Sequence, residues 1–527
     1  MNIIFLTQSK TLEVFCDVSL SLSKKRSLGR VGFYVTDSEF FKSFAETHPG
    51  LAKQRCSFLK EWEIIEKSKQ SRFDIEKLKE YEEEYADPIL WNALAADRRI
   101  FLGRRAALEQ DYAPRFNHQE MLSILQTAFT QIQRLFDEVK PDVVVGFICV
   151  TIGEYIAYLL AKKRGIRFIN LRPMRIKNYF YAAEGIYEPS ERLRAEYLQK
   201  VSKGIPEPQR QEILSYLQEV RKTHAMYEGV VPASQDSSLT TTKANMQRKG
   251  LMDRVCNLIK KYYTYTFTRY RFDTHHRGTF YPIWFYKIKR PLRIFWMNLF
   301  LRKKYIYSKD LTSLRYAFFP LHKEPEVTLL VYSRPYLNQI EVIRNIARSL
   351  KVGTHLVVKE HPAAVGYRPL SYYKKLLAIP NVLLASPALS SRELIGHAEL
   401  VSVISGSVGL EAIIMKKPVI IFGRTPFGFL PNCMIRHIDN LENLGWQIHD
   451  LLKNYRYDEN ALISYITAVA ENSLPVDFYS VLLKKRGVYR PDGETMENRD
   501  YQVQIDRLTE HLFGVWDVHK KEYAAQA

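Results

Sequence analysis

The amino-acid sequence predicts an α/β protein built from two Rossmann-like domains, with parallel sheets that face a cleft. Apolar segments of strand length alternate with segments of helical periodicity in the first part of the chain, and the same alternation restarts near residue 327. Strands separated by helices pair in parallel, as in a doubly wound sheet. The length of 527 residues also exceeds what one hydrophobic core supports. A basic, aromatic helical insertion is predicted between the two domains.

The first domain is predicted from four strands with helices between them. The helices are the stretch after the first strand, the heavily charged residues 60–85, residues 118–139 with apolar positions at helical spacing, and residues 153–165, closed by Gly165. The strands are NIIFLT near the N-terminus, VGFYVT at 31–36, PDVVVGF at 141–147 and IRFINL at 166–171.

The second domain is predicted from five strands joined by four crossovers. Its strands are VTLLVY (327–332), HLVVK (355–359), NVLLA (381–385), LVSVI (400–404) and PVIIF (418–422), and helical patterns lie between them. The domain boundaries that follow are 1–225 for the N-terminal domain, 226–310 for the insertion or linker, 311–475 for the C-terminal domain and 476–527 for a C-terminal helical tail.

The net charge of +20 favours anionic partners, and it is concentrated in one region. Thirteen Lys or Arg residues lie between Leu251 and Tyr305, against the acidic residues Asp253 and Asp273. Aromatic residues alternate with these basic residues, which suits an anionic membrane surface or a lipid-linked or acidic glycan acceptor. An ordinary interdomain insertion with solvated basic faces explains the composition equally well. Nucleic acid is a third interpretation, which no nucleic-acid-binding motif supports.

Several classes of protein are disfavoured. The five cysteines are scattered and never spaced as CxxC, so no disulfide framework or zinc knuckle is predicted and a reducing compartment fits best. The N-terminus lacks the pattern of a secretory signal. The apolar window 143–161 carries Glu154 and two glycines, so it predicts strand, loop and helix rather than a membrane span. Without a DxD triplet or HExxH motif, we predict no catalytic metal.

Three strand ends of the second domain carry candidate binding residues. Glu360, His361 and Pro362 follow HLVVK, the segment SGSVGLEA follows LVSVI, and Gly423 and Arg424 follow PVIIF. Ligands of doubly wound sheets bind at the carboxyl ends of strands, so we expect these residues to form one pocket. His361 can donate a hydrogen bond, or a charge when protonated, to a phosphate oxygen. The alternative is a surface loop histidine, and Pro362 prevents the strand from continuing.

The segment SGSVGLEA has the features of a phosphate site at a helix start. Ser405, Gly406 and Ser407 precede a helix whose free amides favour an anion, and Glu411 could accept hydrogen bonds from ribose hydroxyls. The alternative is that a serine merely caps the helix and Glu411 complements its dipole.

Four segments in this order resemble the bacterial capsule polysaccharide biosynthesis family: FPLHKEPEVT (319–328), VKEHPA (358–363), SGSVGLEA (405–412) and KPVIIFG (417–423). LWNALAADRR (90–99) and the segment from KPDVVVGF (140–147) to GEYIAYLLAKKRGI (153–166) resemble it in the first domain. That family includes 3-deoxy-manno-octulosonic acid (Kdo) transferases and is related to sialyltransferases of the GT-B fold. The resemblance implies a glycosyltransferase with an N-terminal acceptor domain and a C-terminal nucleotide-sugar-binding domain. By this likeness His361 and Ser405 or Ser407 would contact the donor phosphate, and Glu411 its ribose.

Inverting transfer also needs a group that takes the proton of the acceptor hydroxyl. Glu154, at the start of a helix after a buried strand, is the first candidate, and Asp97 in AADRR is the second. Either residue could instead be structural, as a helix N-terminal acid or a partner of Arg98 or Arg99. Arg172 and Arg175 could hold an acidic acceptor or a donor carboxylate, or could be solvated surface charges.

The leading hypothesis is a metal-independent inverting glycosyltransferase of capsule or surface polysaccharide synthesis. The donor expected from the resemblance is a nucleotide sugar, such as a CMP-linked acidic sugar of the Kdo type, used as a co-substrate with no cofactor. The acceptor is expected to be a glycan or glycolipid, and the protein to lie in the cytoplasm, peripherally on the inner face of the cell membrane. The alternatives are a CDP-polyol phosphotransferase and a non-catalytic membrane-bound scaffold of an export complex.

Overall fold

A computed structural model describes residues 1–48, 56–85, 87–106, 108–109, 114–223, 225–228, 251–324, 326–484 and 500–512. Two seven-stranded sheets organise these residues. The strands are β1 (Ile3–Thr7), β2 (Val31–Val35), β3 (Cys56–Lys60), β4 (Val143–Phe147), β5 (Arg167–Pro173), β6 (Tyr179–Ala183), β7 (Tyr305–Ile306), β8 (Tyr316–Pro320), β9 (His355–Lys359), β10 (Val382–Ala385), β11 (Leu400–Val403), β12 (Val419–Ile421), β13 (Ile435–His437) and β14 (Ser473–Pro475).

Helices connect and cover the strands. They are α1 (Thr11–Lys25), α2 (Ser38–Thr47), α3 (Glu61–Ser68), α4 (Ile75–Tyr85), α5 (Trp91–Ala96), α6 (Arg98–Phe101), α7 (His118–Val139), α8 (Ile152–Lys163), α9 (Glu191–Lys203), α10 (Glu207–Thr223), α11 (Leu251–Phe267), α12 (Tyr281–Trp284), α13 (Arg290–Leu301), α14 (Gln339–Ser349), α15 (Leu370–Leu377), α16 (Ser391–His397), α17 (Ser407–Ile414), α18 (Leu444–Asn454), α19 (Glu459–Asn472) and α20 (501–512). Across the described ranges, none of these helices combines the length and hydropathy needed to cross a bilayer.

The first sheet has the order β14-β6-β5-β4-β1-β2-β3. Strands β3, β2, β1, β4 and β5 are parallel, and β6 and β14 add antiparallel pairs at one edge. The central strands β1 and β2 are buried along their whole length because helices cover both faces. The chain runs from β1 outward to β3 and then restarts at β4, so the topological switch point lies between β1 and β4.

The second sheet has the order β13-β12-β11-β8-β9-β10-β7, and every neighbouring pair is parallel. The switch point lies between β8 and β11, where the chain leaves β8 toward one edge and returns to build the other. Two doubly wound sheets on one chain confirm the predicted fold class, the two-Rossmann architecture of GT-B type.

One predicted strand is wrong. VTLLVY does not join the sheet, and Thr328–Tyr332 forms a single π-helical turn. The central strand next to β9 is instead YAFFP, 316–320, which the sequence did not predict. Val331 packs into the core of the first domain, and Leu330 packs against Leu102 and Ala106. A six-residue apolar run is compatible with a buried strand or a buried helical turn. Here the run is buried between the domains.

The insertion packs on both domains. In the first domain, Asp273 accepts a hydrogen bond from the Ser38 amide at 3.0 Å, and Thr274 donates one to Glu61 at 2.7 Å. On the second domain, Met297 and Leu301 of α13 enter the core below the sheet. The insertion therefore links the two halves of the cleft.

The end of the chain returns to the first domain. After α19 the strand β14 pairs with β6, with Leu474 opposite Phe180. Phe478 then stacks on Phe147 with 4.6 Å between ring centroids, and Leu508 of α20 is buried in the same core. Residues 473–484 and 500–512 thus complete the first domain.

Candidate functional site

A cleft of about 350 Å³ lies between the two domains at the carboxyl ends of β8 and β11. A second cavity of about 280 Å³ adjoins it on the side of the second domain. The two share Tyr227, Pro320, Leu321, His361, Ser407 and Val408 as a common wall. Switch points of doubly wound sheets are where ligands bind, so this paired cavity is the candidate site.

The structure brings most of the candidate residues to this place. His361, Ser405, Gly406, Ser407, Arg172 and Arg175 line the larger cleft, and Glu360, His361, Pro362, Ser407 and Glu411 line the smaller cavity. The expectation that separate strand ends of the second domain meet in one pocket is thus met for β9 and β11. Glu154, Asp97, Gly423 and Arg424 are not among the lining residues of either cavity.

His361 borders both cavities and is oriented by its own loop. Its Nδ1 accepts a hydrogen bond from the Ala363 amide at 3.2 Å, so the ring proton lies on Nε2. Although the side chain reaches solvent, desolvation by the surrounding protein lowers the pKa of His361 to about 4. The negative charge of Glu360 opposes this shift, and the positive charge of Lys323 adds to it. Near neutral pH the ring can therefore donate a hydrogen bond but carries no charge.

Glu360 supports the histidine loop from below. Its carboxylate is buried, ion-paired with Arg368, and accepts hydrogen bonds from Tyr373 at 2.6 Å and from the His361 amide at 2.7 Å. Because these partners occupy the carboxylate, Glu360 is not expected to bind a ligand directly. It contributes to the cavity by positioning His361. Pro362 opens the short 3₁₀ turn Pro362–Ala364, which ends β9 as the sequence predicted.

The start of α17 faces the wall shared by the two cavities. Gly406 is the N-cap in extended backbone, and no described side chain caps the helix. The amides at Ser407 and Val408 therefore offer donors and the positive end of the helix dipole. A β-carbon on Gly406 would lie 3.0 Å from Cε1 of His322, so glycine permits this close packing. Ser405 instead donates its hydroxyl to the carbonyl of Arg424, away from the helix start.

Glu411 and Ser407 lie on one face of α17, one turn apart, and both line the smaller cavity. Glu411 is half-buried. The hydroxyl of Ser407 lies 3.4 Å from the hydroxyl of Tyr227, which closes the cavity from the side of the insertion.

Arg175 is the main cationic group that the first domain contributes. Its backbone is left-handed, with φ of 60°, and its guanidinium lies 5.0 Å from the centre of the Tyr227 ring. Arg172 lies beside it but is only 2% exposed and ion-paired with Glu188 at 2.8 Å. Arg172 also donates to the Tyr187 carbonyl at 2.7 Å, so it is committed to the wall of the cleft.

Gly423 and Arg424 contribute to the surroundings rather than to the cavity wall. Gly423 is buried, and a β-carbon there would lie 1.7 Å from Oγ of Ser333, so this position accepts only glycine without rearrangement. Arg424 places its guanidinium 4.8 Å from the centre of the Tyr187 ring in the first domain. It links the two domains beside the cleft.

The structure does not bring Glu154 to the cleft. Glu154 is 1% exposed and forms a capping box with Thr151, whose amide and hydroxyl donate to it at 3.0 Å. Gln8 donates to both carboxylate oxygens at 2.6 and 2.8 Å. Burial raises the pKa of Glu154 to about 7, and these hydrogen bonds oppose the shift. The geometry corresponds to the structural alternative, a helix N-terminal acid.

Asp97 is likewise enclosed. It caps α6 and accepts from Arg99 at 2.6 and 2.9 Å and from the Ile152 amide at 3.2 Å. Arg99 also pairs with Glu61 at 2.9 Å. This buried network lies beneath the insertion, and Asp97 pairs with one of the two arginines that the sequence suggested.

Sequence reasoning missed several residues of the cleft, among them His322, Lys323, Glu326 and Tyr227. The first three follow β8, whose position the sequence did not predict, although they lie within the quoted segment FPLHKEPEVT. Burial raises the pKa of Glu326, and the charges of Lys323 and Arg175 oppose that shift. Burial lowers the pKa of His322 to about 3, so this ring is neutral.

Within the described ranges, no three His, Cys, Asp or Glu side chains group together in a way that could hold a metal ion. The prediction of a metal-independent reaction stays a prediction.

Solved structures with a similar fold include two sugar transferases and an epimerase. The KpsC β-Kdo 2,4 transferase of Thermosulfurimonas dismutans is 13% identical, with a TM-score of 0.34 over 62% of this chain and 79% of that one. The β-Kdo 2,7 transferase of the same organism is 12% identical, with a TM-score of 0.31 over 63% and 87%. The UDP-GlcNAc 2-epimerase of Neisseria meningitidis is 12% identical, with a TM-score of 0.28 over 89% and 99%. Similarities this weak do not bear on activity or substrate.

No curated protein matches the chain. The profile of the family described as "Capsule polysaccharide biosynthesis protein" matches residues 228–430, which include β8, His361 and the start of α17. This match agrees, over residues 228–430, with the family resemblance that the sequence motifs suggested.

Proposed function

We propose that the chain is a glycosyltransferase of capsule or surface polysaccharide synthesis that transfers an acidic sugar of the Kdo type from a CMP-activated donor to a glycan or glycolipid acceptor. The observation that carries this proposal is the shared wall of the two cavities. There the Nε2–H of His361, the free start of α17 and Glu411 border one continuous space. These are the groups needed to bind a phosphate that is joined to a ribose.

The nucleoside is assigned to the smaller cavity. Glu411 can accept two hydrogen bonds from ribose hydroxyls there, since it lies one helical turn beyond Ser407. The phosphate then lies at the start of α17, within reach of the Ser407 and Val408 amides and of His361. Neutral donors and a helix dipole stabilise the charge that develops on the departing nucleotide.

The transferred sugar is assigned to the larger cleft. Arg175 and Lys323 approach this space from opposite domains, and two cations there suit the carboxylate of an acidic sugar. Arg172 is neutralised by Glu188 and contributes less. This division supports a donor that carries a carboxylate beside its anomeric carbon.

Glu326 is the proposed base. It is a half-buried carboxylate that lines the larger cleft, whereas Glu154 and Asp97 are enclosed by hydrogen-bond donors. The acceptor hydroxyl gives its proton to Glu326 while its oxygen bonds to the anomeric carbon. The bond from that carbon to the phosphate oxygen breaks, and the nucleotide leaves with the electron pair. A single displacement of this kind inverts the anomeric configuration.

The direct experiment is calorimetry with CMP, CDP and UDP followed by transfer assays with CMP-Kdo and product analysis. We expect CMP to bind most tightly and the product to be a glycoside. His361→Ala should lower turnover by about a hundredfold, which corresponds to the loss of one hydrogen bond to developing charge. The matched control is His397→Ala, because His397 is exposed and lies outside both cavities.

Other outcomes identify the alternatives. A phosphodiester product from a CDP-activated polyol would indicate a phosphotransferase. Failure to bind any nucleotide or nucleotide sugar would favour a non-catalytic scaffold. Equal turnover by the wild type and His361→Ala would remove His361 from the reaction.

A further inference from the structure

The insertion exposes a continuous apolar surface. Of the 25 exposed large hydrophobic side chains in the described ranges, 16 lie between Met252 and Phe300. They project from α11, α12, α13 and the π-helical turn Phe285–Lys289. Tyr262 of α11 lies 5.4 Å from Phe280, between ring centroids, and thereby joins the two parts. We call this surface the aromatic face; large clusters of exposed apolar side chains mark interaction sites.

The segment from 281 to 301 has two distinct sides. Its inner side packs Phe285, Met297 and Leu301 into the protein, while Lys289 and Arg293 pair with the buried Glu109 at 2.5 and 3.0 Å. Its outer side carries the aromatic face, with Leu292 52%, Phe295 59% and Leu299 60% exposed. The inner contacts fix the helix in place, so the outer side chains cannot turn inward.

Basic residues flank the part of the aromatic face that α13 carries. Lys287 lies at one end of α13, and Arg302, Lys303 and Lys304 follow the other end, all exposed. The acidic residues between 251 and 304 are Asp253 and Asp273, and Asp273 is buried against Ser38. The charges that accompany the aromatic face on α13 are therefore positive.

We propose that the aromatic face docks the protein on an anionic lipid bilayer, with α13 lying in the plane of the interface. Rings and aliphatic side chains would enter the boundary between headgroups and acyl chains, and the flanking cations would meet lipid phosphates. A symmetric pair of copies would instead oppose two positively charged surfaces, which is unfavourable. The residues of the aromatic face take no part in the proposed reaction, so failure of either proposal leaves the other intact.

The aromatic face is also linked to the cleft by contacts between side chains. Tyr286, on the outer side, places its hydroxyl 3.2 Å from that of Tyr367, and Lys323 of the cleft lies 5.8 Å from the centre of the Tyr367 ring. A bilayer under α13 would therefore lie beside the loop that follows His361, where a lipid-linked substrate could be presented.

Co-sedimentation of the full chain with vesicles tests the proposal. We expect binding to vesicles of phosphatidylcholine mixed with phosphatidylglycerol, weaker binding to phosphatidylcholine alone, and weakening by salt. Phe295→Ser with Trp296→Ser should weaken binding by about tenfold or more, because two large apolar groups lose their lipid contact. Val352→Ser with Trp446→Ser is the matched control, since both residues are exposed on the second domain.

The charge contribution has its own pair of variants. Lys303→Glu with Lys304→Glu should weaken binding to the anionic vesicles by about tenfold or more. Lys351→Glu with Lys453→Glu changes the net charge equally at exposed sites elsewhere and should have little effect. Equal binding to both vesicle types, or no loss in the Phe295/Trp296 variant, would overturn the proposal. So would light scattering that shows a dimer which this variant dissociates, because the occupant would then be a second copy.

Discussion

Arg290 of the insertion donates a hydrogen bond from Nε to the carbonyl of Val365 at 3.0 Å, four residues after His361. The guanidinium also lies 5.2 Å from the centre of the Tyr367 ring, and the side chain packs against Gly366. The loop that carries the histidine is therefore held from outside its own domain.

We expect Arg290→Ala to lower kcat by about tenfold while donor binding changes less, because a loosened loop spends less time in the reactive geometry. Steady-state kinetics without vesicles measure this effect. Lys287→Ala is the control on the same segment, since Lys287 is exposed. If both variants keep wild-type kcat, the insertion does not position the loop.

His361 should contribute no limb near the ordinary histidine pKa of about 6.5 to the pH dependence of kcat/KM. The surrounding protein partly desolvates the ring and lowers the pKa of His361 to about 4, so the ring remains neutral as the pH rises from about 5 to 8. Because the folded pKa lies below the unfolded value, the unfolded chain takes up a proton at His361 more readily than the folded protein does. The free energy of unfolding should therefore decrease as the pH falls from about 6.5 toward 4. A limb near 6.5 that disappears in His361→Ala would contradict this assignment.

Two glutamate variants should behave differently. Glu326→Gln should lower kcat by about a hundredfold or more, since an amide cannot take the acceptor proton. In the wild type, kcat/KM should fall as the pH drops through the raised pKa of Glu326. Glu154→Gln should leave kcat within about tenfold of wild type, because Glu154 lies outside the cleft.

Glu154 should instead control the pH dependence of stability. Its folded pKa of about 7 exceeds the unfolded value, so its contribution is present below about pH 4.5 and is lost as pH rises through 7, by roughly 3 kcal/mol. Denaturation of the wild type and of Glu154→Gln at about pH 5 and about pH 8 measures how the free energy of unfolding of each protein changes with pH. A strong loss of kcat in Glu154→Gln with full kcat in Glu326→Gln would reverse the assignment.

Gly423→Ala should destabilise the protein by about 1–3 kcal/mol, because the new methyl group meets Ser333 and the Ile404 carbonyl in a packed interior. Thermal denaturation provides the measurement. Gly396→Ala is the control: Gly396 is exposed in α16, its nearest neighbour would be Met415 at 3.8 Å, and alanine favours a helix. Equal melting temperatures for the two variants would show that the Ser333 contact relaxes without cost.

The order of strands and helices could be predicted where the apolar residues follow one clear spacing, either that of a helix or that of a strand. The helix at 118–139 has the predicted bounds, and four of the five strands predicted in the second domain are present. VTLLVY could not be assigned from its own residues, because its burial comes from packing between the two domains. The edge strand β14 was missed for a similar reason: Ser473–Pro475 becomes a strand only through pairing with β6, almost 300 residues earlier.

The candidate site also contains residues that could be predicted from the sequence and residues that could not. His361, Ser407 and Glu411 could be predicted because parallel strands end at one edge of the sheet. Glu326 and Tyr227 could not, since their place in the cleft depends on the misassigned segment and on the approach of the insertion. For Glu154 the sequence did carry the decisive signal: TIGE, residues 151–154, is a capping-box pattern, and a glutamate that caps its own helix has its oxygens occupied.

Strand β14 gives the C-terminal region an unexpected importance. Because the polypeptide leaves the first sheet, builds the second and then comes back to supply an edge to the first, each half is anchored to its neighbour at two separate crossings. Truncation after residue 472 would therefore remove an edge strand and buried core side chains from the N-terminal half rather than a dispensable appendage.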